Sequence, residues 1–305
     1  MVPRIAVLGD IILDRYDYCE NRSNPESSAP CYRVKKTMFL PGGAGNVAAN
    51  LAKLGAETTL FGIVGKDEHG DHLLDELSKA GISQRILLDK NLKTIVKQRV
   101  LSAADGRYHS RLDFGDDAKE IDKIKSLKRE IAEKLETSIK NGFDACIISD
   151  YNKGFVTSEL MDKVRQLGIP IYVDPKKDKN LCKNVELVKP NKKEISGMVF
   201  ENDDLKKTEV LSRELNTNVL LTLGGEGMYY FGKDGTSFRL PAHKAEALDV
   251  TGCGDTAIAA LVFYRTLGRS MKESAELANK AAGISVQHIG CYHVSREEIE
   301  NFHSQ

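Results

Sequence analysis

Short apolar runs rich in β-branched residues alternate with longer segments of helical periodicity along most of the chain. The apolar runs predict strands at residues 5–8, 59–64, 145–148, 171–173, 185–188 and 219–223. The amphipathic segments predict helices at residues 44–54, 68–80, 121–140, 157–167, 203–215, 256–267, 271–287 and 296–302, and a hairpin near 228–240. Strands that alternate with helices are typical of a parallel sheet covered on both faces. The pattern therefore predicts an α/β fold.

Two segments break this alternation. Residues 11–40 are polar, rich in Ser and Pro, and too long for a simple connection, while residues 95–101 and 107–114 predict a hairpin around 103–106. Together they predict a small sheet that stands off the core. Such a sheet could be a lid that excludes water from a bound phosphodonor, a dimerisation flap, or both. We expect one domain over residues 1–305, with lid segments at about 11–40 and 92–114 inserted in its core.

Composition excludes several classes of protein. The 44 basic and 44 acidic side chains cancel, which argues against a general nucleic-acid binder or a membrane-surface protein. The six cysteines are far apart without a CxxC pair, so neither a zinc site nor a disulfide framework is indicated. The chain has neither a secretory signal nor an apolar run of about 18 residues. We expect a cytoplasmic protein with its native start and reduced thiols.

The segment 249–255, Asp-Val-Thr-Gly-Cys-Gly-Asp, precedes an apolar helical stretch. Glycines at a helix start let unpaired backbone N–H groups approach an anion closely, and the helix dipole favours negative charge there. Asp255 in the first turn is a candidate base for an attacking hydroxyl. The simpler alternative is a helix cap in which the glycines only form a turn.

A second glycine cluster, residues 41–46, opens the helix predicted at 44–54. It resembles a dinucleotide-binding fingerprint only loosely, because the preceding strand is absent in the required register and no acidic residue ends a second strand at the expected distance. Gly42 and Gly43 more plausibly let a polyol pack against the backbone, with the Asn46 amide facing its hydroxyls. No Walker A motif, HEXXH motif or nucleophile elbow is present.

Residues 41–46 with 62–67, and residues 249–255, resemble the two signatures of the ribokinase-like (PfkB) sugar kinases. The resemblance covers essentially the whole chain. It implies a three-layer α/β sandwich with a mostly parallel central sheet and a small β-sheet lid. Further segments, 9–16, 24–30, 111–114, 149–154 and 173–176, are similar to the heptose 7-phosphate kinases of this family, which act in lipopolysaccharide synthesis alone or as half of a bifunctional enzyme.

The resemblance implies a role for each matching residue. Asp255 matches the catalytic base, and the amides of Gly252, Cys253 and Gly254 match the anion hole for the transferred phosphoryl group. Asn191 and Glu194 match a motif associated with Mg²⁺, through ordered waters; by themselves they would be a helix cap and its box partner, and both roles can hold. The matched ATP contacts are Asn191, Thr222, Gly224, Gly227, Asn279 and Ala282, and the matched sugar contacts are Asp14, Gly42, Gly43 and Asn46.

Several of these positions have simpler interpretations. Asp14 alone would be a solvated loop acid. Arg111, Lys153 and Lys176 are our candidates for binding a phosphate on the acceptor, although each alone could be an ordinary surface charge. Cys253 stands where the family more often has alanine, and a thiol at a helix N-terminus is expected to have a lowered pKa and to be oxidisable.

These features predict an ATP- and Mg²⁺-dependent kinase that phosphorylates the anomeric hydroxyl of a heptose 7-phosphate. We expect ATP and a sugar phosphate as partners, no nucleic acid or membrane, and a homodimer formed through the lid. No segment resembles an HxGH nucleotidyltransferase half, so adenylyl transfer is not expected. The alternatives are another PfkB-type kinase for ribose, fructose, fructose phosphate or a nucleoside, and a sugar or nucleotide sensor without turnover. A purely structural protein would need neither glycine cluster.

Overall fold

The computed structural model describes residues 2–127, 130, 133, 142–243 and 247–302. Thirteen strands are found in these residues. They are β1 Arg4–Gly9, β2 Ile11–Arg22, β3 Cys31–Gly43, β4 Glu57–Gly65, β5 Ser83–Asp89, β6 Val96–Ser102, β7 Tyr108–Phe114, β8 Ala145–Ser149, β9 Ile171–Asp174, β10 Leu187–Val188, β11 Asn218–Thr222, β12 Met228–Phe231 and β13 Ser237–Leu240.

The helices pack on both faces of the larger sheet. In the same described residues they are α1 Ala44–Leu54, α2 Glu68–Lys79, α3 Ala118–Ser126, α4 Ser158–Arg165, α5 Lys192–Met198, α6 Asp204–Leu215, α7 Cys253–Thr266, α8 Met271–Ser285 and α9 Arg296–Asn301. Ile5 and Val7 of β1 pack into a core with α1, α7 and α8, whereas Ala6 and Leu8 pack into a second core with α4 and α6. Side chains that alternate along a strand between two cores are expected of a sheet buried on both faces.

The larger sheet has the strand order β13-β12-β11-β10-β9-β8-β1-β4-β5. Every neighbouring pair from β5 to β11 is parallel, and only β12 and β13 pair in antiparallel fashion. Parallel strands end at the same edge of a sheet, so polar residues after β8, β9, β10 and β11 converge there. This edge positions the candidate site.

The second sheet has four strands in the order β3-β2-β6-β7, which confirms the predicted small sheet. Residues 11–40 form most of the β2–β3 pair rather than an irregular segment, and the β6–β7 hairpin lies where it was predicted. Strand β3 includes Gly42 and Gly43 and runs directly into α1, so it does not precede the glycine cluster in the register of a dinucleotide-binding fingerprint, as expected. This strand belongs to the small sheet, and the unit is therefore not a Rossmann βαβ unit.

Most other elements agree with the sequence pattern. Helix α1 has its predicted bounds, and the remaining helices differ by a few residues at their ends. Strand β5 was not predicted, and β10 is shorter than expected. The predicted helix at 121–140 is seen as α3, which begins earlier and ends at Ser126; much of its remainder lies outside the described residues. Among the helices the structure describes, none has the length and apolar character needed to cross a bilayer.

Candidate active site

A cavity of about 750 Å³ opens at the edge where β8 to β11 end, against the N-terminus of α7. Twelve of the predicted site residues line it: Lys176, Asn191, Glu194, Thr222, Gly224, Gly227, Gly252, Cys253, Gly254, Asp255, Asn279 and Ala282. A cavity of this size at the carboxyl ends of parallel strands is typical of a nucleotide or small-molecule site. The fold therefore brings together residues that lie far apart in the sequence.

Asp255 lies in the first turn of α7 and is almost completely buried, at 4% exposure. Tyr151 donates its hydroxyl to Oδ1 at 2.7 Å, and Asn46 donates Nδ2 to Oδ2 at 2.7 Å. Burial, with a smaller contribution from Asp174, raises the pKa of the Asp255 carboxyl to about 7, although the two hydrogen bonds oppose this. A carboxyl with a pKa near neutrality suits a general base.

Gly252 caps α7 in a left-handed conformation, with φ of 76°. A Cβ at this position would lie 2.6 Å from Nδ2 of Asn46, so only glycine allows α7 to begin this close to α1. The amides of Gly252 and Gly254 have no backbone partner in the described residues, while the Cys253 amide makes a long bond of 3.4 Å to the Val250 carbonyl. Free amides at a helix start are donors for an anion.

Lys189 and Asp174 add a buried ion pair beside this helix start. Nζ of Lys189 lies 3.1 Å from Oδ1 of Asp174, and its side chain is only 3% exposed. Burial opposes the charge on Lys189, but Asp174, Glu194 and Asp255 together raise the pKa of its ammonium group. A Cβ on Gly254 would lie 3.4 Å from Nζ. A fixed positive charge therefore adjoins the free amides of α7.

Asn191 and Glu194 form the predicted capping box at the start of α5. The Asn191 side chain accepts from the Glu194 amide, and the Glu194 side chain accepts from the Asn191 amide, both at 2.9 Å. Asn191 also bridges to Thr222, because β10 and β11 end side by side. The second carboxylate oxygen of Glu194 accepts from Nζ of Lys176 at 3.0 Å. This places Lys176 within the cavity beside Glu194.

Asn279 of α8 donates Nδ2 to the Pro241 carbonyl at 2.7 Å, and Ala282 lies one turn further on the same wall of the cavity. Gly224 and Gly227 form the turn after β11, with φ of 61° and 95°. A side chain at Gly227 would collide with the Leu240 carbonyl. These four residues line part of the cavity without charged groups.

Asp14 lies on β2 and is buried, so the interpretation as a solvated loop acid was wrong. Its carboxylate forms an ion pair with Arg99 of β6 and accepts a long hydrogen bond from the Cys291 thiol at 3.5 Å. A Cβ on Gly42 would collide with the same carboxylate. Gly43 has φ of 58° and is followed by the Ala44 amide, which donates to the Asp10 carbonyl at 2.9 Å. The glycine cluster thus packs the lid against the core beside Asn46.

Cations cluster on one face of the small sheet. Lys97 pairs in register with Asp14, and Arg99 pairs with Arg111, so these side chains share a face. Arg111 is exposed and bonded to Asp113 at 2.8 Å, and Lys153 is bonded to Asp116 at 2.8 Å. Lys97 has no carboxylate within ion-pair distance in the described residues, and its Nζ lies 5.2 Å from the centre of the Tyr151 ring. Burial, with smaller contributions from Arg99, Arg111 and Lys153, lowers the pKa of Lys97, although Asp14 acts in the opposite direction.

Sequence reasoning missed Tyr151, Lys97, Arg99 and Asp10. Asp10 follows β1 and accepts the backbone amides of Tyr151, Lys153 and Phe155, at 2.8, 3.0 and 3.1 Å. It therefore fixes the loop that carries Tyr151. The sequence did offer two signals. Asp10 is an acid just after a predicted buried strand, and Lys97 and Arg99 are basic residues at alternate positions of a predicted lid strand.

The expected lowering of the pKa of Cys253 was wrong. Burial raises the pKa of this thiol, and nearby Asp249 and Asp255 add to the effect. Its sulfur lies 3.9 Å from the Asp249 carbonyl oxygen and 3.8 Å from Oγ of Ser285. The favourable helix dipole is therefore outweighed by burial between acidic groups.

Comparisons with known proteins agree with this geometry. Residues 2–298 match the pfkB family carbohydrate kinase. The chain is 37% identical over 310 residues to the bifunctional protein HldE of a Nitratiruptor species, covering 99% of this chain and 65% of that protein. It is 36% identical over 307 residues to HldE of Haemophilus influenzae (strain PittEE), covering 98% and 63%. The chain thus spans somewhat less than two thirds of the length of these relatives.

Solved structures share the fold. Phosphofructokinase-2 from Escherichia coli in complex with potassium superposes with a TM-score of 0.78 at 20% identity, covering 98% of this chain and 97% of that chain. Arabidopsis thaliana ribokinase complexed with ribose and ATP gives 0.71 at 21% identity, with 98% of both chains covered. The fold is therefore ribokinase-like. With the family match over nearly its full length, the chain belongs to the pfkB family of carbohydrate kinases.

Proposed function

We propose that the protein transfers the γ-phosphoryl group of ATP to the anomeric hydroxyl of D-glycero-D-manno-heptose 7-phosphate, giving the 1,7-bisphosphate and ADP. The product would serve ADP-heptose and lipopolysaccharide core synthesis. Similarity to relatives named HldE along the chain supports this acceptor. The observation that carries the proposal is the group of lid cations around Lys97, because a free sugar would not need an unpaired, half-buried ammonium group beside its hydroxyls.

The chemical step follows from the position of Asp255. Its ionised carboxylate takes the proton of the attacking hydroxyl as the new oxygen–phosphorus bond forms and the bond to the ADP oxygen breaks. The free amides of Gly252 and Gly254 and the Lys189 ammonium group stabilise negative charge on the transferred group. Because these donors are already oriented by α7 and by Asp174, little reorganisation is needed in the transition state.

Mg²⁺ fits the donor chemistry of the cavity. Asp174 and Glu194 present carboxylate oxygens there, and Asn191 lies beside Glu194. In the described residues no three His, Cys, Asp or Glu side chains form a metal cage, and Mg²⁺ commonly keeps several waters and binds through one or two carboxylates and the substrate phosphates. Asn191 and Glu194 would hold the hydrated ion, with Asp174 nearby. When bound, the ion would neutralise charge on the ATP phosphates.

We propose that the ATP phosphates and the phosphate of the acceptor bind in two separate regions, which meet at Tyr151. Lys176 forms an ion pair with Glu194 in the cavity proposed for ATP. We therefore propose that it contacts the ATP phosphates, and it remains a candidate for binding the acceptor phosphate. Lys97, Arg99, Arg111 and Lys153 come from the lid and the loop after β8, and Lys97 lies beside Asp14, which we propose as a sugar contact together with Gly42, Gly43 and Asn46. We also propose a cytoplasmic location, where ATP and sugar phosphates are available.

A panel of free and phosphorylated sugars, followed by ADP release, tests the acceptor. We expect turnover with D-glycero-D-manno-heptose 7-phosphate and at least about tenfold higher KM for it in Lys97→Ala, with the KM for ATP unchanged. Lys35→Ala is the matched control, because Lys35 is an exposed lid lysine bonded to Glu20. Preference for another sugar phosphate would overturn the heptose assignment, preference for a free sugar would overturn the phosphate site, and ATP binding without any turnover would favour a sensor.

A further inference from the structure

The Asn46 side chain connects helix α1 to the base. It is fully buried, and its Nδ2 donates to Oδ2 of Asp255 at 2.7 Å. A carboxamide has a nitrogen that donates and an oxygen that accepts, and only the nitrogen stabilises a carboxylate. If the amide turned over, its oxygen would face the Asp255 carboxylate and repel it. The orientation of this one amide therefore affects the charge and position of the base.

Two nitrogen atoms face the oxygen of the Asn46 amide. Nδ2 of Asn50, one turn further along α1, lies 3.2 Å from Oδ1 and also donates to the Asn46 carbonyl at 2.9 Å. Nε2 of His293, from the segment between α8 and α9, lies 3.2 Å from the same oxygen. The Asn46 carbonyl accepts from Nδ2 of Asn50 and holds that amide in place, but this nitrogen is shared between two acceptors and leaves one of the two acceptor sites on Oδ1 of Asn46 open. His293 is the second group within hydrogen-bond distance of this oxygen.

We propose that His293 is a positioning residue of the phosphoryl transfer: its Nε2–H donates to Oδ1 of Asn46 and so holds the Asn46 nitrogen against the Asp255 carboxylate. This inference rests on the proposed role of Asp255 as the base. It requires the neutral imidazole to carry its proton on Nε2. Burial, with repulsion from Lys53, lowers the pKa of His293 to about 4, so the ring is neutral where Asp255 titrates.

Loss of this donor changes the titration of Asp255 in a defined direction. The titratable groups that face Asp255 are Asp174, Lys189, Tyr151, Cys253 and Cys291. The Asn46 bond lowers the pKa of Asp255 against the effect of burial. A released or inverted amide would stop doing so, and the pKa would rise by about one unit, the scale of a lost hydrogen bond to a charged group.

Carboxyl ¹³C NMR titration of the full chain measures this pKa directly, with the Asp255 signal assigned from its absence in Asp255→Asn. We expect a higher pKa in His293→Leu, and a wild-type value in His293→Gln, whose side-chain amide can donate from a similar position. His288→Leu is the matched control, because His288 lies in the same segment but stacks on Tyr292, with ring centroids 3.6 Å apart. An unchanged pKa in His293→Leu would overturn the proposal.

Long-range ¹H–¹⁵N NMR of the wild-type protein gives a test that needs no variant to fold. The proposal predicts a proton on Nε2 and none on Nδ1 near pH 7, and the opposite tautomer would refute it. Turnover keeps this inference separate from the proposed function. If Asp255→Asn retains activity, the base assignment fails; if Asp255→Asn is inactive but His293→Leu keeps both its kcat and the wild-type acid limb of its pH profile, only the role of His293 fails.

Discussion

At the scale of single residues, the properties of the base result from opposing effects on one carboxyl group. Burial raises the pKa of Asp255 to about 7, while hydrogen bonds from Asn46 and Tyr151 act in the other direction. A carboxylate with the usual pKa would be a weaker proton acceptor, and one with a still higher pKa would be protonated at neutral pH. The two donors therefore keep a strong base in its ionised form near neutrality.

Tyr151→Phe tests this balance. The phenylalanine ring keeps the contacts with Lys97 and Lys176, whose ammonium groups lie 5.2 and 5.7 Å from the ring centre, and removes only the hydroxyl. Because that hydroxyl lowers the pKa of Asp255, its loss raises the pKa, and the fall in kcat on acidification begins at higher pH. We expect the acid limb to move up by about one unit from its wild-type position near 7.

The matched control is Tyr264→Phe. Tyr264 is a buried tyrosine on the same helix as Asp255, and its hydroxyl has no partner in the described residues. Its removal should leave the pH profile unchanged. An acid limb that stays in place in Tyr151→Phe, or moves equally in both variants, would contradict the assignment of Asp255 as the titrating base.

The chemical role of a residue could be predicted from the sequence only where its neighbours in the chain form a recognisable pattern. Glycines around Asp255 indicate a helix start with an acid in its first turn, and this geometry is confirmed. Tyr151 and His293 lie in segments whose local sequence gives no sign of a contact with α1 or α7. Their partners are distant in the chain, at separations of 104 residues for Tyr151 and Asp255 and 247 for His293 and Asn46. Such contacts depend on strand order, which local periodicity does not determine.

At the scale of elements, helix α7 connects the core with the chemistry. Its buried residues, from Asp255 to Tyr264, contact α1 and α8, so the helix cannot shift without disturbing the core. Its two ends are both capped near a left-handed glycine, Gly252 at the start and Gly268 just after the end. Only the first of these glycines is packed against a site residue.

Gly252→Ala and Gly268→Ala separate backbone strain from function. Both positions have positive φ, 76° and 82°, so each alanine should destabilise the fold by about 1–2 kcal/mol. At Gly252 the new Cβ also meets Nδ2 of Asn46 at 2.6 Å, whereas nothing lies within 4 Å at Gly268. We expect a larger loss of thermal stability in Gly252→Ala because of this contact, and at least about tenfold lower kcat only in that variant. Equal kcat in the two variants would argue against a requirement for close contact between α1 and α7.

Elements with strong periodicity were predictable, and weakly patterned ones were not. Helix α1 follows from its uninterrupted apolar spacing and has the predicted bounds. Strand β5 is an edge strand in which Gln84 and Arg85 interrupt the apolar run, and only Leu87 is fully buried, so its pattern lacks the signature of a core strand. Strand β10 begins two residues later than predicted, and the carbonyls of Val185 and Glu186 accept from the side chains of Thr217 and Asn218.

At the scale of the whole molecule, the lid completes the site from outside the central sheet. Arg99 and Lys97 reach toward the core from β6, and the Tyr108 hydroxyl of β7 donates to Oδ2 of Asp249 at 3.0 Å. The sequence predicted two lid segments and their approximate bounds, because they interrupt the alternation of the core. It could not predict that β2 and β6 pair in parallel fashion, and that pairing sets Asp14 beside Lys97.

The opposite face of the lid leads to a prediction about assembly. Leu112 and Phe114 are 46% and 47% exposed, and strand alternation places them on the face away from Arg111. Exposed apolar side chains on an edge strand are typical of an interaction surface, and we propose a second copy of the chain as its partner. Leu112→Asp should convert a dimer into a monomer in sedimentation or light scattering, because the new carboxylate would be buried without a partner.

Leu88→Asp is the control, since Leu88 is 43% exposed on edge strand β5 of the other sheet. A monomeric wild-type protein, or a Leu112→Asp variant that remains dimeric, would exclude this face as the dimer interface.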